Sequence, residues 1–288
     1  MDSVPYDFIE QTILLVAPLE VSRSPFSTLQ GHWGRYAKVL DEKTTHIEVF
    51  VNLRLPDLYY YVDSHRLLTS YLASPKLSVD DLCQRKHVNV LKVIVSSAPD
   101  LNLVAEKIDE QTKEKLLRLL RRSNGLTTLI VRDWPNDAPA LTTLLEALPR
   151  IQEITFHRYK MAENVAAVHS ILEKHVQRRC LSRINFWDHP IPKVLFPVVL
   201  DFAKDPKFIA LEGVVPSNEE DFAKELIRLF AANAKKRHFT SEKIFVAASP
   251  LLLDEFKKEI EDEAEHWPLQ MKETPNGEVL LSYVFGLP

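Results

Sequence analysis

Four segments in the middle of the chain share one pattern of apolar residues, and this repetition restricts the fold more than any other feature of the sequence. They begin at residues 126, 151, 181 and 208 and read LTTLIV, IQEITF, LSRINF and FIALEG, so the spacings are 25, 30 and 27 residues. Each follows the pattern apolar-x-x-apolar-x-apolar, except that the last ends in Gly213. Earlier copies begin at residue 88 (VNVLKV) and, less regularly, at residue 44 (TTHIEV). The sequence therefore predicts a strand that recurs along the chain.

The connections between these strands carry helical patterns. Apolar residues recur at helical spacing over Leu141–Leu148 and over Val165–Leu172. A third helical pattern begins at the capping box Ser217–Glu220. A strand followed by a helix, repeated, predicts parallel strands with helices packed on one side of the sheet.

The strand pattern and its spacing resemble leucine-rich repeats, whose strands carry L-x-x-L-x-L and whose repeats are roughly 20–29 residues long. The resemblance predicts an α/β fold, an irregular leucine-rich-repeat-like βα stack with parallel strands over residues 41–265. A small helical segment over residues 1–40 precedes the stack, and a capping β-hairpin over residues 266–288 follows it. An ordinary open α/β sheet is the alternative, because the asparagine that follows the strand in such repeats is missing.

The hairpin is predicted from two strand-like runs, Trp267–Glu273 and Glu278–Phe285. Between them lies Thr274-Pro275-Asn276-Gly277, and Asn-Gly is the strongest short-range signal for a hairpin turn. We therefore expect an antiparallel pair that covers the open end of the stack.

Strand alternation also predicts which side chains lie on the open face of the sheet, away from the helices. The candidate partner-binding residues on this face and on the rim beyond the strands are Arg132, Trp134, His157, Tyr159, Arg183, Trp187 and His189. Trp, Tyr and Arg dominate binding hot spots because they bury large surfaces and keep a polar group. We expect Arg132, His157 and Arg183 to anchor an acidic or phosphorylated segment. Alternatively, Trp134 and Trp187 fold under the loops as part of the core.

Cations close three predicted helices, at Arg118–Arg122, Gln177–Arg179 and Lys235–Arg237. Positive charge at a helix C-terminus complements the negative end of the helix dipole, which is sufficient reason for these residues. The alternative is a site for phosphate or for an acidic peptide.

The N-terminal segment resembles a divergent F-box, which opens with an apolar residue and proline, continues into a helix, and later carries a tryptophan. The matching residues are Val4, Pro5, Asp7, Phe8, Ile9, Ile13, Leu14, Leu15, Leu29, Trp33, Gly34 and Arg35. This start and the irregular βα repeats also look like the nematode-expanded F-box-like families. The resemblance implies that the ubiquitin-ligase adaptor Skp1 is contacted by Val4, Pro5, Phe8, Ile9, Leu14, Leu15 and Trp33. The alternative is that residues 1–40 only cap the stack.

Composition and motifs argue against several kinds of site. The net charge is −4, and the chain has two cysteines and six glycines. No P-loop, dinucleotide loop, G-x-S-x-G, H-E-x-x-H or C-x-x-C motif is present. We therefore predict no enzyme, no cofactor and no metal site. No apolar run reaches the roughly 18 residues of a membrane span, and the acidic N-terminus is unlike a signal peptide, so we predict a cytoplasmic or nuclear protein without membrane contact.

Two functional hypotheses follow. In the first, the chain is a substrate-receptor subunit of a Skp1–cullin ubiquitin ligase, with Skp1 on the N-terminal segment and a substrate protein on the open face and rim. In the second, the chain is a free-standing repeat scaffold in another complex, and its N-terminus acts only as a cap. That complex includes RNA if the basic helix ends bind nucleic acid. Both hypotheses describe a non-catalytic protein-interaction module.

Overall fold

Two compact units make up the chain, Met1–Ile151 (unit 1) and Gln152–Pro288 (unit 2). The computed structural model describes residues 8–10, 12–13, 24–54, 57–64, 77–97, 105–123, 125–133, 139–157, 165–205, 207–216, 218–236, 245–248, 269–273 and 279–283. Only the backbone is described at residues 25, 188, 230–231, 233–236, 245–248, 269–273 and 279–283. The boundary between the units falls inside the segment 41–265, for which the sequence predicts one domain.

Unit 1 is an α/β unit with a mixed sheet. Its strands are β1 (Thr45–Arg54), β2 (Asp57–Ser64), β3 (Val88–Ser96), β4 (Glu106–Lys107) and β5 (Thr127–Val131). Its helices are α1 (Gly31–Lys43), α2 (Val79–Gln84), α3 (Glu110–Arg121) and α4 (Pro139–Glu146), and a 3-10 helix covers Pro25–Thr28. The strand order is β5-β3-β1-β2-β4. Strands β5, β3 and β1 are parallel to one another, β2 is antiparallel to β1, and β4 is antiparallel to β2.

Unit 2 is also an α/β unit, and its strands follow one another in sequence order over most of the sheet. The strands are β6 (Ile151–Phe156), β7 (Arg183–Pro190), β8 (Ala210–Val214), β9 (Phe245–Ala248), β10 (Leu269–Glu273) and β11 (Val279–Tyr283). The helices are α5 (Val165–Gln177), α6 (Phe196–Lys204) and α7 (Glu220–Lys236), with a 3-10 helix at Lys193–Leu195. The strand order is β6-β7-β8-β9-β11-β10. Strands β6 to β9 are parallel, and β11 and β10 complete the sheet as antiparallel neighbours. The predicted α/β class with mostly parallel strands is confirmed.

The helices of unit 2 cover one face of its sheet. Parallel strands are joined by right-handed crossovers, so strands in sequence order receive their helices on the same side. In agreement, α6 contacts both α5 and α7. The core lies between this helix layer and the sheet, and its largest buried side chains are Phe156, Phe186, Phe202 and Phe208. The opposite face, which we call the open face, carries the alternate residues of each strand.

The predicted alignment of strands is confirmed across β6, β7 and β8. In unit 2, Ile154 pairs with Ile184 and Ile184 with Leu211, and all three side chains are buried. In unit 1, buried Leu129 pairs with Val93. These residues occupy the fourth position of the predicted pattern, except for Val93.

The two earliest copies were predicted two residues out of register. The sequence aligned Leu91 with Leu129, whereas the structure pairs Val93 with Leu129 and Val49 with Val93. The true copy in β3 is therefore 90–95 (VLKVIV), which also fits the pattern. A shift of two residues leaves every side chain on the same face, so the apolar pattern cannot detect it. An irregularity in the pairing between Ile47 and Glu48 also interrupts the spacing there.

The predicted C-terminal strand pair is present. Strands β10 and β11 are antiparallel, with Leu269 opposite Tyr283 and Glu273 opposite Val279. The turn residues 274–277 lie outside the described residues. Strand β11 also pairs with β9, so the hairpin extends the unit 2 sheet at that end. Over the part of the chain that the structure describes, no helix is both long and apolar enough to cross a membrane.

Candidate interaction surfaces

The open face of unit 2 brings polar side chains from three neighbouring strands into two rows. Glu153, Arg183 and Ala210 form one row across β6, β7 and β8. Thr155, Asn185 and Glu212 form the next row. Directly opposed side chains on one face of a sheet lie about 5 Å apart at Cβ, so each row is a set of contacting neighbours. Arg183 is exposed, whereas Thr155 and Ala210 are buried between their longer neighbours.

The side-chain amide of Asn185 makes hydrogen bonds to two neighbours on this face. Its Oδ1 accepts a hydrogen bond of 2.6 Å from the backbone N–H of Trp187. Its Nδ2 donates to Oε2 of Glu212 on the adjacent strand. One side chain therefore positions both the aromatic residue at the strand end and the carboxylate beside it.

Trp187 is held on the surface. Its backbone has φ 55°, in the left-handed region that non-glycine residues rarely adopt, and its side chain is 49% exposed. The indole ring lies against the His157 ring, with 4.3 Å between centroids and a tilt of 44°. The adjacent Phe186 points the other way and stacks on Phe156 in the core. Trp187 is therefore a surface aromatic and not part of the core.

A bulge in β7 creates this geometry. Asn185 pairs with Glu212 and Pro190 pairs with Val214, so residues 186–189 of β7 lie opposite Gly213 alone. A Cβ atom on Gly213 would lie 3.1 Å from Ile191 and 3.3 Å from Phe186, so glycine makes room for both side chains. Bulges of this kind re-aim side chains at the ends of strands. His189, which lies within the bulge, is half-buried.

The carboxyl group of Glu212 lies in an environment that disfavours its charge. Burial raises the pKa of Glu212 above its ordinary value, and the neighbouring Glu153 raises it further. The hydrogen bond from Asn185 and the charge of Arg183 act in the opposite direction and only partly compensate. On β6, β7 and β8 the open face of unit 2 thus carries the two carboxylates Glu153 and Glu212 and the guanidinium of Arg183.

The open face of unit 1 is paired within itself. The rings of Phe50 and Tyr61 stack at 4.2 Å with an interplanar angle of 7°. Lys92 Nζ lies 3.2 Å from a carboxylate oxygen of Glu48. Burial, together with the charges of Asp63 and Glu48, raises the pKa of Tyr61 to about 12, and the charge of Arg132 acts in the opposite direction. Arg132 is exposed just beyond β5, and its backbone N–H continues the ladder by donating to the carbonyl of Val95 at 2.8 Å.

The N-terminal residues form a small apolar cluster with α1. Residues 8–10 and 12–13 are helical. Ile9 and Ile13 are buried against Ala37 and Leu40, whereas Phe8 is 57% exposed. Leu29 is 50% exposed. Of the residues for which the sequence predicts adaptor contact, Phe8 is thus at the surface, Ile9 is inside the cluster, and Trp33 is partly buried.

An apolar patch lies at the edge of this cluster. The Trp33 ring stacks on Phe26 at 5.6 Å and meets Phe8 edge-on at 6.5 Å. Glu10 anchors the opposite side, because its carboxylate accepts from the Tyr36 hydroxyl at 3.0 Å and lies 3.1 Å from Nδ1 of His87. The segment therefore presents one apolar side and contacts His87, which lies beyond residue 40, through Glu10.

One of the basic helix ends has a structural role. The guanidinium of Arg122 donates to the carbonyls of Cys83 at 2.8 Å and Arg85 at 2.9 Å, which ties the end of α3 to the end of α2. Arg178 and Arg179 are exposed after α5, and the Arg179 carbonyl accepts from Lys207 Nζ at 3.3 Å.

The pair His175 and Cys180 lies in unit 2 with 3.5 Å between Nδ1 and Sγ. Burial, together with the charges of Lys174 and Arg178, lowers the pKa of His175 to about 3. The imidazole is therefore neutral near pH 7 and does not provide the positive charge that activates cysteine nucleophiles. Within the described residues, no three His, Cys, Asp or Glu side chains come together in a group that could hold a metal ion.

Six of the predicted site residues lie outside the described residues: Val4, Pro5, Leu14, Leu15, Trp134 and Tyr159. Of the predicted rim, the structure brings together His157, Arg183, Trp187 and His189 in unit 2, and Arg132 lies in unit 1. Strand alternation in the sequence also places Glu153, Asn185 and Glu212 on the open face, although they are not among the predicted site residues. The signal was that all three are polar at positions flanking Arg183 and Trp187.

Comparison with protein-family models, with curated proteins and with solved structures finds no match for this chain.

Proposed function

We propose that this chain is a non-catalytic protein-interaction module on an irregular leucine-rich-repeat-like stack, and that it binds a polypeptide partner on the open face of unit 2. The observation that carries the proposal is the half-exposed indole of Trp187, held by a left-handed backbone and packed on His157. A large aromatic held at the surface costs free energy in an isolated chain and is typical of binding hot spots. The successive parallel strands of unit 2, with helices on one side, support the repeat-like scaffold.

The proposal is tested by comparing what the full chain and its variants capture from cells. Trp187→Ala should reduce the recovery of the specific partner by about tenfold, the loss of a contact of roughly 1.4 kcal/mol. Val194→Ala is the matched control, because Val194 is 54% exposed on a 3-10 helix away from this face. If both variants recover every partner as the wild type does, the open face of unit 2 is not the binding surface.

We propose further that the module is the substrate receptor of a Skp1–cullin ubiquitin ligase. The exposed Phe8 and Leu29, with Trp33 behind them, support an adaptor-binding patch. Purified Skp1 should bind the full chain, and Phe8→Asp should abolish binding without changing the melting temperature. Val194→Asp is the control for an added surface charge. A folded chain that ignores Skp1 would contradict the ligase proposal.

The second candidate is a free-standing scaffold whose N-terminus is a cap. The contact between Glu10 and His87 favours it, because it joins the N-terminal segment to a residue of the predicted stack. Under this proposal Ile13→Asp lowers the melting temperature sharply, and Phe8→Asp has no effect on any complex that the chain forms.

A further inference from the structure

We propose that the partner segment on the open face of unit 2 is basic, with an arginine or lysine side chain over the Trp187 ring and its charge directed toward Glu212 and Glu153. The inference rests on the proposed function, since it concerns the same surface. It adds the chemistry of the partner, and it reverses the acidic or phosphorylated segment that the sequence alone led us to expect.

The described charges on β6, β7 and β8 of this face do not balance. Glu153 and Glu212 lie on the strands that flank β7, and Arg183 lies between them. Glu153 acts on Glu212 as a repulsive neighbour, and Arg183 only partly offsets it. Among the open-face side chains of these three strands, one negative charge is left without an equal positive charge. A cation from a partner would complete this set, whereas a phosphate would add a third negative group.

Asn185 links the aromatic residue to the carboxylate. The backbone N–H of Trp187 and the Glu212 carboxylate are hydrogen-bonded to the two ends of the Asn185 side-chain amide. The Trp187 backbone and the Glu212 carboxylate are therefore separated by one side chain, while the indole ring lies on His157. Tryptophan is the side chain that best attracts a cation to its ring face, and a nearby carboxylate adds to that attraction. The two groups together fit the flat, charged head and the apolar stem of an arginine or lysine.

Arg183 is the residue that the sequence assigned to an acidic partner. Its register partners are Glu153 on β6 and Ala210 on β8, and its charge acts on Glu212 one row away. The attraction of Arg183 for an incoming anion is therefore opposed by the repulsion of two carboxylates on the adjacent strands. Arg183 therefore competes with a basic partner and does not recruit an acidic one.

The test measures fluorescence anisotropy of labelled peptides of equal length with the full chain, at about pH 8, where ordinary histidines are neutral. The peptides share a Gly-Ser backbone and carry arginine, glutamate or phosphoserine at the same positions. The arginine peptide should bind best. Glu212→Gln and Trp187→Ala should each lower the affinity for the arginine peptide by about tenfold, and Arg183→Gln should raise that affinity by about threefold. Asp221→Asn, which removes an exposed negative charge on α7, is the control and should change binding less than twofold.

Two results would overturn the inference, and they can be told apart. Preferential binding of the phosphoserine or glutamate peptide, lost in both Trp187→Ala and Arg183→Gln, would reverse the sign of the partner while keeping the surface. Peptide binding that does not respond to Trp187→Ala would remove the surface itself, and with it the proposed function. Glu153→Gln provides a second charge variant if Glu212→Gln does not fold, as judged by circular dichroism.

Discussion

The open faces of the two units are built in the same way but are completed differently. In unit 1 the aromatic rings of Phe50 and Tyr61 stack on each other, and Lys92 is paired with Glu48. In unit 2 the largest aromatic side chain, Trp187, is half-exposed, and the carboxylates outnumber the guanidinium. Strand alternation decides which residues reach an open face in both units. What differs among the described residues is the exposure of the aromatic side chains, since Phe50 and Tyr61 cover each other whereas Trp187 packs on His157 and stays half-exposed.

The largest expected effect is a difference in stability loss between two adjacent residues of β7, one in the core and one at the surface. Phe186→Ala should lower the free energy of unfolding by about 3–5 kcal/mol, because Phe186 is fully buried against Phe156 and leaves a cavity. Trp187→Ala, one residue later, should cost less than about 1 kcal/mol because the ring is half-exposed. Urea unfolding of the two variants measures both values. Equal losses would mean that Trp187 belongs to the core after all.

The next effect compares the open faces directly. Phe50→Ala should destabilise the protein by about 1–2 kcal/mol, since it removes the stack on Tyr61 as well as part of the apolar surface that Phe50 buries. This loss should exceed that of Trp187→Ala. The same urea experiment decides the order, and a smaller loss for Phe50→Ala would contradict a self-paired face in unit 1.

A smaller effect is expected at Asn185. Asn185→Ala removes the acceptor of the Trp187 backbone N–H and the donor to Glu212. It should lower the free energy of unfolding by about 1 kcal/mol. Because the hydrogen bond from Asn185 lowers the pKa of Glu212, that pKa should rise in the variant. Carboxyl titration by nuclear magnetic resonance provides the readout, with Asn185→Asp as the variant that keeps the acceptor. A Glu212 pKa that does not move would show that the two side chains are uncoupled.

The smallest effect appears at high pH and concerns Tyr61 in unit 1. The pKa of Tyr61 is raised to about 12, so between pH 10 and 12 the unfolded chain loses this proton while the folded chain keeps it. Stability from this group is complete below about pH 10 and is lost as the pH rises toward 12. The free energy of unfolding of the Tyr61→Phe variant should therefore fall less steeply than that of the wild type between about pH 10 and 12. The tyrosinate absorbance of the wild type minus that of the variant should show a transition near 12, and a difference curve centred near pH 10 would contradict the buried environment.

The apolar columns were predictable because each strand needs one buried face. Ile154, Ile184 and Leu211 were placed in neighbouring parallel strands from the repeated pattern alone, and the structure pairs them in that register. The C-terminal strand pair was predictable for a related reason, since Asn276-Gly277 between two strand-like runs specifies a local turn. Both inferences depend on contacts that are repeated or local.

Other features were not predictable from those patterns. Strand β2 lacks the apolar-x-x-apolar-x-apolar motif and was missed, although its residues alternate between buried and partly exposed. The register of β3 was two residues out, because both alignments present apolar residues to the same face. The bulge in β7 was also missed, since it depends on the room that Gly213 leaves for Ile191 and Phe186 from a different strand.

The sequence by itself determined the class of fold, the order of the strands that repeat, and the set of side chains that share the open face of unit 2. It did so because alternation and periodicity are properties of the local chain. Only the tertiary structure decided what those side chains do to one another. The sequence assigned Arg183 to an acidic partner, and the strand register set it opposite Glu153 and one row from Glu212. The charge that a surface presents depends on cross-strand neighbours far apart in sequence, and folding alone brings those neighbours together.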